Sequence, residues 1–338
     1  MVRIGISGLG SIGRRFLRIA LEAGDVQVVA VNDIAPLAVV AHLVKYDSTY
    51  GTYSHEVEAK GGALEIDGRS IVYLQAKTPE EIGWSRYDVD YVLECTGRFT
   101  RPENAAGHLK AGAKRVVISA PAKGPGAPTI ILGVNEGDYN PQRDRVVSMG
   151  SCTTNCLMPV LSVLGSEFGI LDAMMTTVHS YTNDQSLLDA PHKDLRRARA
   201  AGLSIIPTAT GAQQAVGQVW PDLADRFSGL ALRVPTPAVS CVDVVVRFEH
   251  TAAVEEVNRA LREAAQGRLR GIVDYTERPL VSSDLRGSTA SATVDGLSTM
   301  TAGTLCKVLA WYDNEWGYAA RMLDFVRLLA TREPGLSG

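Results

Sequence analysis

Residues 2–33 read VRIGISGLGSIGRRFLRIALEAGDVQVVAVND, a β-branched run, a glycine-rich turn, an amphipathic segment and a second apolar run. This order predicts a strand, a helix and a strand. The turn carries Gly8, Gly10 and Gly13 in a G-x-G-x-x-G spacing, which lets the backbone approach a pyrophosphate at a helix N-terminus. Asp33 ends the second run, where a carboxylate accepts hydrogen bonds from an adenosine ribose and repels a 2′-phosphate. These features predict a dinucleotide-binding domain that prefers NAD to NADP.

The composition is that of an ordinary globular protein: 46% of the 338 residues are hydrophobic, 21% are charged, and the net charge is -3. With this balance we expect neither nucleic acid nor a membrane as a partner. No apolar run reaches the roughly 20 residues that span a bilayer, and the start turns glycine-rich too early for a signal peptide. The five cysteines are odd in number and lie in apolar or strand-like contexts, which favours the reducing cytoplasm.

The first half of the chain continues the alternation of strand and helix. Residues 87–97 and 113–122 predict parallel-sheet strands, and the segment between them predicts the crossover helix. Open α/β sheets place ligands at strand ends, here at Thr96–Gly97 and at Ser119. We therefore expect an α/β domain with a Rossmann-type doubly wound parallel sheet.

The pattern changes after Ser151. Longer antiparallel strands are predicted at residues 171–181, 230–236 and 241–250, and an amphipathic helix at 252–267. This second domain is predicted to be an α+β catalytic domain with a mostly antiparallel sheet. The predicted domains are 1–151 for NAD binding, 152–312 for catalysis and 313–338 for a C-terminal helix that returns to the first domain.

Cys152 lies in the motif SCTTNC, residues 151–156, at the predicted start of a helix. A helix N-terminus stabilises a thiolate, and the serine and threonine neighbours form a rim of donors. The residues alone leave three roles open: a nucleophile, a buried structural thiol, and a metal ligand together with Cys156. A nucleophilic cysteine needs a histidine within hydrogen-bond reach, and His179, at the end of an apolar run, is the candidate.

Six motifs follow the glycine-rich turn in this order: SCTTNC, HSYTNDQ, HKDLRRARAA, IIPTATGA, LRVPTP and WYDNEWGY. Together they resemble the phosphorylating glyceraldehyde-3-phosphate dehydrogenase family over nearly the whole chain. The resemblance implies that Cys152 is the nucleophile and His179 the general base. It implies NAD-dependent oxidation of glyceraldehyde 3-phosphate to 1,3-bisphosphoglycerate, in glycolysis or gluconeogenesis, through a cysteine thioester that inorganic phosphate attacks.

The resemblance also implies two anion pockets and a cofactor site, and no metal. The phosphate group of the substrate is expected on Thr182 and Arg233. Inorganic phosphate is expected on Ser151, Thr153, Arg196, Thr210 and Gly211. NAD is expected on Gly8, Gly10, Ser11, Ile12, Asp33, Lys77, Thr96, Gly97, Ser119 and Asn314. Asn314 is expected to hold the nicotinamide carboxamide, and Pro191 occupies a position that is usually proline in NAD-using members.

The sequence departs from the usual family pattern in three places. These are the first turn, the approach to the cysteine, and the residues after TGA. The departing residues are Ser7, Leu9, Ser11, Met149, Gly150 and Gln214. None of these departures removes a catalytic group. We expect consequences for NAD affinity from the first set and for the reactivity of the thiol from the second.

Two alternative functions remain open on the sequence. Erythrose-4-phosphate dehydrogenase is a sister enzyme with the same cysteine, histidine and fold. A non-catalytic, moonlighting NAD-binding protein is the other, although it would have little reason to keep the catalytic set together. Because members of the family are usually homotetramers, the resemblance implies a cytoplasmic homotetramer.

Overall fold

The glycine-rich turn joins a strand to a helix in the computed structural model, which describes residues 1–333. Residues 334–338, the end of the predicted segment 313–338, lie outside the described residues. The chain divides into two units. The first comprises Met1–Ile130, Gly137–Gly150 and the residues from Ala319 on, and the second comprises Ile131–Glu136 and Ser151–Tyr318.

The first unit is built on an eight-stranded sheet. Its strands are β1 (Val2–Ser7), β2 (Val26–Asn32), β3 (Val57–Lys60), β4 (Ala63–Ile66), β5 (Arg69–Leu74), β6 (Tyr91–Glu94), β7 (Arg115–Ile118) and β8 (Val146–Ser148). Its helices are α1 (Ser11–Ala23), α2 (Leu37–Lys45), α3 (Pro102–Ala105) and α4 (Gly107–Lys110). The strand order is β3-β4-β5-β2-β1-β6-β7-β8, in which β3, β4 and β5 pair antiparallel and the other pairs are parallel.

Strand β1 lies between β2 and β6, so the sheet grows in opposite directions on its two sides. In open α/β sheets this reversal leaves a crevice at the carboxyl ends of the strands, and ligands bind there. The glycine-rich turn follows β1 at that edge.

Two glycines of the turn are required by close contacts. Gly8 has a φ of +92°, and a Cβ atom there would lie 2.7 Å from the backbone nitrogen of Thr96. A Cβ atom on Gly13 would lie 2.1 Å from the carbonyl oxygen of Gly8. A side chain at either position would push α1 or the end of β6 away from β1, so the cavity at this edge depends on both glycines.

The second unit contains a seven-stranded sheet with helices packed on it. Its strands are β9 (Ile170–Ser180), β10 (Ile206–Ala209), β11 (Phe227–Val234), β12 (Ser240–Phe248), β13 (Val273–Thr276), β14 (Ala292–Ala302) and β15 (Leu305–Tyr312), in the order β10-β11-β9-β12-β15-β14-β13. Its helices are α5 (Cys152–Phe168), α6 (Ala212–Val219) and α7 (Val254–Gln266). The last helix, α8 (Trp316–Arg332), begins in the second unit and ends in the first.

Helix α5 is the centre of the second unit's core. Every residue between Cys156 and Leu164 except Ser162 is apolar, as expected for a helix that is largely surrounded by other elements. Leu157, Leu161 and Leu164 are all 0% exposed and pack with residues of the sheet and of α7. The core thus fixes α5 against the sheet and sets the position of its first residue, Cys152.

The predicted fold class is confirmed, but two predicted details were wrong. The strand predicted at 230–236 was expected to be antiparallel; it belongs to β11, which is antiparallel to β10 and parallel to β9. The chain reverses once into β10 and again before β11, so β11 runs in the same direction as β9. The predicted crossover helix is two short helices, α3 and α4, which meet at Ala106.

Among residues 1–333, no helix combines the length and the apolar character that crossing a membrane requires.

Candidate active site

Cys152 is the first residue of α5, and the residue before it caps the helix. The Oγ atom of Ser151 accepts a hydrogen bond from the Thr154 N–H at 3.1 Å, and the Asn155 side chain donates to the Ser151 carbonyl at 2.9 Å. The partly buried sulfur therefore lies at the positive end of a helix of 17 residues, where a developing thiolate is stabilised.

His179 lies near the end of β9 and faces the cysteine. Its Nε2 is 3.6 Å from Cys152 Sγ, and the imidazole is buried. Its Nδ1 is 2.7 Å from the carbonyl oxygen of Ser180 and 2.7 Å from Nη1 of Arg233, which is its neighbour in the parallel β9–β11 register. If Nδ1 carries a proton, it donates a hydrogen bond to the Ser180 carbonyl oxygen; if Nδ1 is unprotonated, it accepts one from the Arg233 guanidinium. Only the first arrangement leaves Nε2 free to take a proton.

Burial sets the ionisation of this pair. Burial, together with the charge of Arg233, lowers the pKa of His179 from 6.5 to about 3. Burial raises the pKa of the Cys152 thiol, although the charge of Arg233 and the hydrogen bond from the Thr153 N–H oppose that rise. The pair is therefore neutral, a thiol facing an unprotonated imidazole, and proton transfer must accompany attack by the sulfur.

A chain of buried hydroxyl groups anchors the residue after the cysteine. Tyr312 Oη lies 2.9 Å from Thr153 Oγ1 and 2.8 Å from Thr177 Oγ1. Thr177 donates its proton to the Cys241 carbonyl at 3.1 Å, so it accepts from Tyr312, which in turn accepts from Thr153. Burial raises the pKa of Tyr312 well above its ordinary value, so the phenol remains a neutral link in the chain.

The residues expected to bind phosphate in the two predicted pockets lie on several elements of the second unit. Ser151 and Thr153 flank the cysteine, and Arg233 reaches its histidine. Thr210 and Gly211 precede α6 after β10, whose Ile206 pairs with Arg233 and whose Ala209 pairs with Leu230. The end of this ladder at Ala209 is about 10 Å along the strand from Arg233, at the usual rise per residue, and Thr210 and Gly211 follow that end.

The other two predicted phosphate ligands lie in the segment between β9 and β10. Thr182 comes three residues after the catalytic candidate His179, and its N–H donates a hydrogen bond to Oε1 of Gln185 at 3.2 Å. The side chain of Arg196 is exposed. It is the neighbouring residue, Arg197, whose guanidinium group donates a hydrogen bond to Thr208 Oγ1 at 2.9 Å.

In the first unit, a cavity of about 230 Å³ opens at the carboxyl ends of β1, β2 and β6. Five of the residues expected to bind NAD line it: Gly8, Gly10, Asp33, Lys77 and Thr96. Of the other expected residues of this unit, Ser11 and Gly97 directly follow lining residues, Ile12 follows Ser11 in α1, and Ser119 directly follows β7. Asn314 belongs to the second unit, where its Oδ1 accepts from Ser240 Oγ at 3.0 Å.

Two side chains show what the cavity can hold. Asp33 accepts the N–H of Leu9 at 2.7 Å and the N–H of Ala35 at 2.9 Å, which fixes its carboxyl group and leaves lone pairs for a ribose hydroxyl. Ser7 is 1% exposed, lines the cavity, and its Oγ has no hydrogen-bond partner. A buried hydroxyl without a partner is costly, and a polar ligand would satisfy it. With the Gly8 cradle, these residues fit a dinucleotide.

Comparison with known proteins agrees with this geometry. A family model described as the NAD binding domain of glyceraldehyde 3-phosphate dehydrogenase matches residues 2–102, and one described as its C-terminal domain matches residues 151–314. The glyceraldehyde-3-phosphate dehydrogenase of Geobacillus stearothermophilus is 53% identical over 332 residues, 98% of this chain and 99% of the relative. The corresponding enzyme of Priestia megaterium is 50% identical over 332 residues, with the same coverage of each chain.

The chain belongs to the glyceraldehyde-3-phosphate dehydrogenase family. The resemblance stated from the sequence motifs is confirmed, and NAD is confirmed as the cofactor, since the matched N-terminal domain of this dehydrogenase family is an NAD-binding domain. The family also confirms an oxidoreductase.

Sequence reasoning did not identify Tyr312 and Thr177 as parts of this dehydrogenase site. Tyr312 lies two residues before Asn314 in the motif WYDNEWGY, and that position in a motif already singled out was the available signal. Cys156, one helical turn after Cys152, is fully buried in the core. Within residues 1–333, no group of three or more histidine, cysteine, aspartate or glutamate side chains is arranged to hold a metal ion.

Proposed function

We propose that this chain oxidises D-glyceraldehyde 3-phosphate with NAD and inorganic phosphate to 1,3-bisphosphoglycerate, by way of a thioester on Cys152. The observation that carries the proposal is the 3.6 Å approach of His179 Nε2 to Cys152 Sγ at the start of α5. A thiol, a neutral imidazole and a helix N-terminus are the groups that covalent catalysis by cysteine requires.

The first half of the reaction forms the thioester. Sγ of Cys152 bonds to the aldehyde carbon while its proton passes through His179 Nε2 to the carbonyl oxygen, which gives a hemithioacetal. His179 then takes the hydroxyl proton as the hydride leaves the same carbon and the C=O bond re-forms. NAD supplies the hydride acceptor, C4 of its nicotinamide ring.

The second half releases the product. An oxygen of inorganic phosphate bonds to the thioester carbon, the C–S bond breaks, and the protonated His179 returns its proton to the sulfur of Cys152. The proton of the phosphate hydroxyl goes to solvent. The acyl phosphate leaves, and the oxidation energy is conserved in it because the thioester reacts with phosphate before water.

We assign the phosphate group of the substrate to Thr182 and Arg233. Arginine suits this role because its fork matches two phosphate oxygens. The position of Arg233 adds a consequence: a phosphate group that engages the guanidinium would leave His179 Nδ1 to donate to the Ser180 carbonyl. That is the tautomer in which Nε2 acts as the base.

For inorganic phosphate we assign Ser151, Thr153, Arg196, Thr210 and Gly211. Ser151 and Thr153 support this assignment because they flank the thioester-forming cysteine. Arg196 is exposed and therefore able to turn toward an anion.

For the cofactor we assign Gly8, Gly10, Ser11, Ile12, Asp33, Lys77, Thr96, Gly97, Ser119 and Asn314. The cavity supports the first-unit residues of this set, and Asp33 favours NAD over NADP because its carboxyl group would repel a 2′-phosphate. We assign Asn314 to the nicotinamide carboxamide.

A cytoplasmic homotetramer that works in glycolysis or gluconeogenesis completes the proposal. Its support is the identity with relatives that carry this enzyme's name over almost their whole length. The predicted division into an NAD-binding domain 1–151, a catalytic domain 152–312 and a C-terminal helix from 313 on belongs to the same proposal.

The test is NADH formation from glyceraldehyde 3-phosphate with and without inorganic phosphate, alongside erythrose 4-phosphate and NADP. We expect fast NADH formation that depends on phosphate and is much slower with either control compound. Cys152→Ala is expected to abolish turnover, whereas the matched variant Cys156→Ala, which alters a core thiol one turn away, keeps it. Faster turnover of erythrose 4-phosphate, or activity of Cys152→Ala, would contradict the proposal.

A further inference from the structure

The Thr96 side of the cofactor cavity is held by a buried carboxyl group. Glu94, the last residue of β6, is 1% exposed, and its Oε1 accepts the Thr96 N–H at 2.8 Å and the Thr96 hydroxyl proton. The Thr96 Oγ1 accepts in turn from the Arg98 N–H at 3.0 Å. One oxygen of Glu94 therefore shapes the turn that follows β6, and its second oxygen needs a donor from elsewhere in the unit.

His108 of α4 supplies that donor. It is 0% exposed, and its Nε2 lies 2.9 Å from Glu94 Oε2. On the other side of the ring, Nδ1 lies 3.0 Å from the indole Nε1 of Trp84, which is also 0% exposed. The Trp84 ring occupies space that Gly5 of β1 leaves open, since a Cβ there would lie 2.8 Å from its Cζ3 atom. The three side chains thus form one buried line that ends at the cavity.

The indole settles which imidazole nitrogen carries the proton. An indole N–H can only donate, so the Nδ1 of His108 accepts and carries no proton. The proton of the neutral ring is then on Nε2 and is donated to Glu94. An amide in place of the carboxyl group would turn its NH₂ group either toward this Nε2–H or toward the Thr96 N–H, and in both orientations a donor would meet a donor.

We propose that His108 is a positioning residue for NAD binding: the Trp84 indole fixes its tautomer, and that tautomer holds Glu94 in the orientation that shapes the 95–98 turn of the cavity. The proposal rests on the assignment of NAD to this cavity. The residues act through the turn, and Thr96 is the member of this line that lines the cavity.

The opposite side of the cavity is held without a histidine, and the comparison shows why the Thr96 side needs the fixed tautomer of His108. There Asn32, at the end of β2, accepts the Ala76 N–H at 2.9 Å and donates to the Ala76 carbonyl at 3.1 Å. An amide offers both a donor and an acceptor, so Asn32 grips the backbone by itself. A carboxyl group offers only acceptors when ionised, so Glu94 depends on a donor whose proton is held in place.

The test combines two substitutions in the full chain, with NAD affinity measured by titration calorimetry. Glu94→Gln is expected to weaken NAD binding about tenfold, since it leaves a mispaired buried donor in the turn. Trp84→Phe alone is expected to change affinity less than about threefold, because Nε2 can keep its proton. In the double variant Nδ1 is free to carry the proton and Nε2 can accept from the new amide. We therefore expect affinity to return to within about threefold of Trp84→Phe.

If these side chains contribute only to packing, the double variant should not recover NAD affinity. In that case the losses of the two substitutions would add, in NAD affinity and in melting temperature, and the proposal would be overturned. A second measurement needs no variant and so does not depend on any variant folding. Nitrogen chemical shifts of ¹⁵N-histidine-labelled protein report whether Nδ1 or Nε2 of His108 is protonated, and a proton on Nδ1 overturns the proposal. A chain that bound NAD but formed no NADH would contradict the proposed reaction and leave this test intact, because its readout is binding.

Discussion

His179 Nε2 lies 3.6 Å from Cys152 Sγ, while the other nitrogen of the same ring lies between the Ser180 carbonyl and the Arg233 guanidinium. The imidazole thus connects the nucleophile to a cation on the neighbouring strand. Because burial raises the pKa of the thiol and lowers that of the imidazole, both groups stay neutral near neutral pH. A change in the charge of Arg233 should therefore be felt at the sulfur.

Removing that charge should slow alkylation of the free thiol. The Arg233 charge lowers the pKa of Cys152 against the effect of burial, so Arg233→Gln leaves less thiolate at a given pH. We expect roughly tenfold slower reaction with iodoacetamide near neutral pH, and a pH–rate profile displaced to higher pH. Arg247→Gln, which removes an exposed guanidinium on β12, serves as the control and should leave the profile unchanged. Identical profiles for the two variants would refute the coupling.

His179 should make folding stability sensitive to acid. Its pKa is lowered from 6.5 to about 3 by burial and by Arg233, so between these values the unfolded chain binds a proton that the folded chain does not. Stability is therefore highest above pH 6.5 and falls as the pH drops toward about 3. His179→Gln should flatten this part of the curve, measured by urea unfolding across the acid range. The exposed His42 gives the control, since His42→Gln should keep the slope of the parent protein.

The His179→Gln variant should separate chemistry from binding. Loss of a positioned general base costs typically 10²–10⁴-fold in rate, so NADH formation should fall by about that factor. NAD binding should stay close to that of the parent protein, because the cofactor cavity lies in the first unit. Retention of more than about a tenth of the activity would remove His179 from the role of base.

Tyr312 should matter for stability through its hydroxyl group alone. Tyr312→Phe leaves Thr153 and Thr177 without their common partner inside a buried site, and an unmade buried hydrogen bond costs about 1–3 kcal/mol. We expect a loss of this size in urea unfolding. Tyr275→Phe is the matched control: its hydroxyl contacts the exposed Glu277, so the loss there should be about 0.5 kcal/mol or less. Equal losses of unfolding free energy in the two variants would show that the buried hydroxyl chain stabilises the protein no more than an exposed hydroxyl group does.

The structural features that were predicted correctly depend on residues that lie close together in the sequence. The glycine turn, the strand that ends before Asp33 and the helix that starts at Cys152 depend on spacing within a few residues, or on one strand–helix–strand unit. Local periodicity and turn chemistry report such features because the physical constraint acts between near neighbours. The contact of Gly13 with the Gly8 carbonyl oxygen is of the same kind, whereas the contact that requires Gly8 is with Thr96, which is distant in the sequence.

The features that were missed depend on pairing between distant strands. Arg233 reaches His179 only because β11 lies parallel to β9, and no local pattern distinguishes that register from the antiparallel one that was expected. Long-range register is set by which faces are buried, and it becomes visible only when the whole sheet is assembled.

Asp33 should decide between the two nicotinamide cofactors. Its carboxyl group is fixed by the N–H groups of Leu9 and Ala35, so it cannot swing away from a 2′-phosphate without losing two hydrogen bonds. Asp33→Ala removes the repulsion and also the acceptor for the ribose hydroxyl. We expect kcat/KM with NAD to fall about tenfold and that with NADP to rise, so that the preference narrows by at least that factor. Glu58→Ala, on the edge strand β3 and exposed, is the control for the loss of one negative charge. An unchanged ratio of the two kcat/KM values in Asp33→Ala would mean that the discrimination lies elsewhere in the cavity.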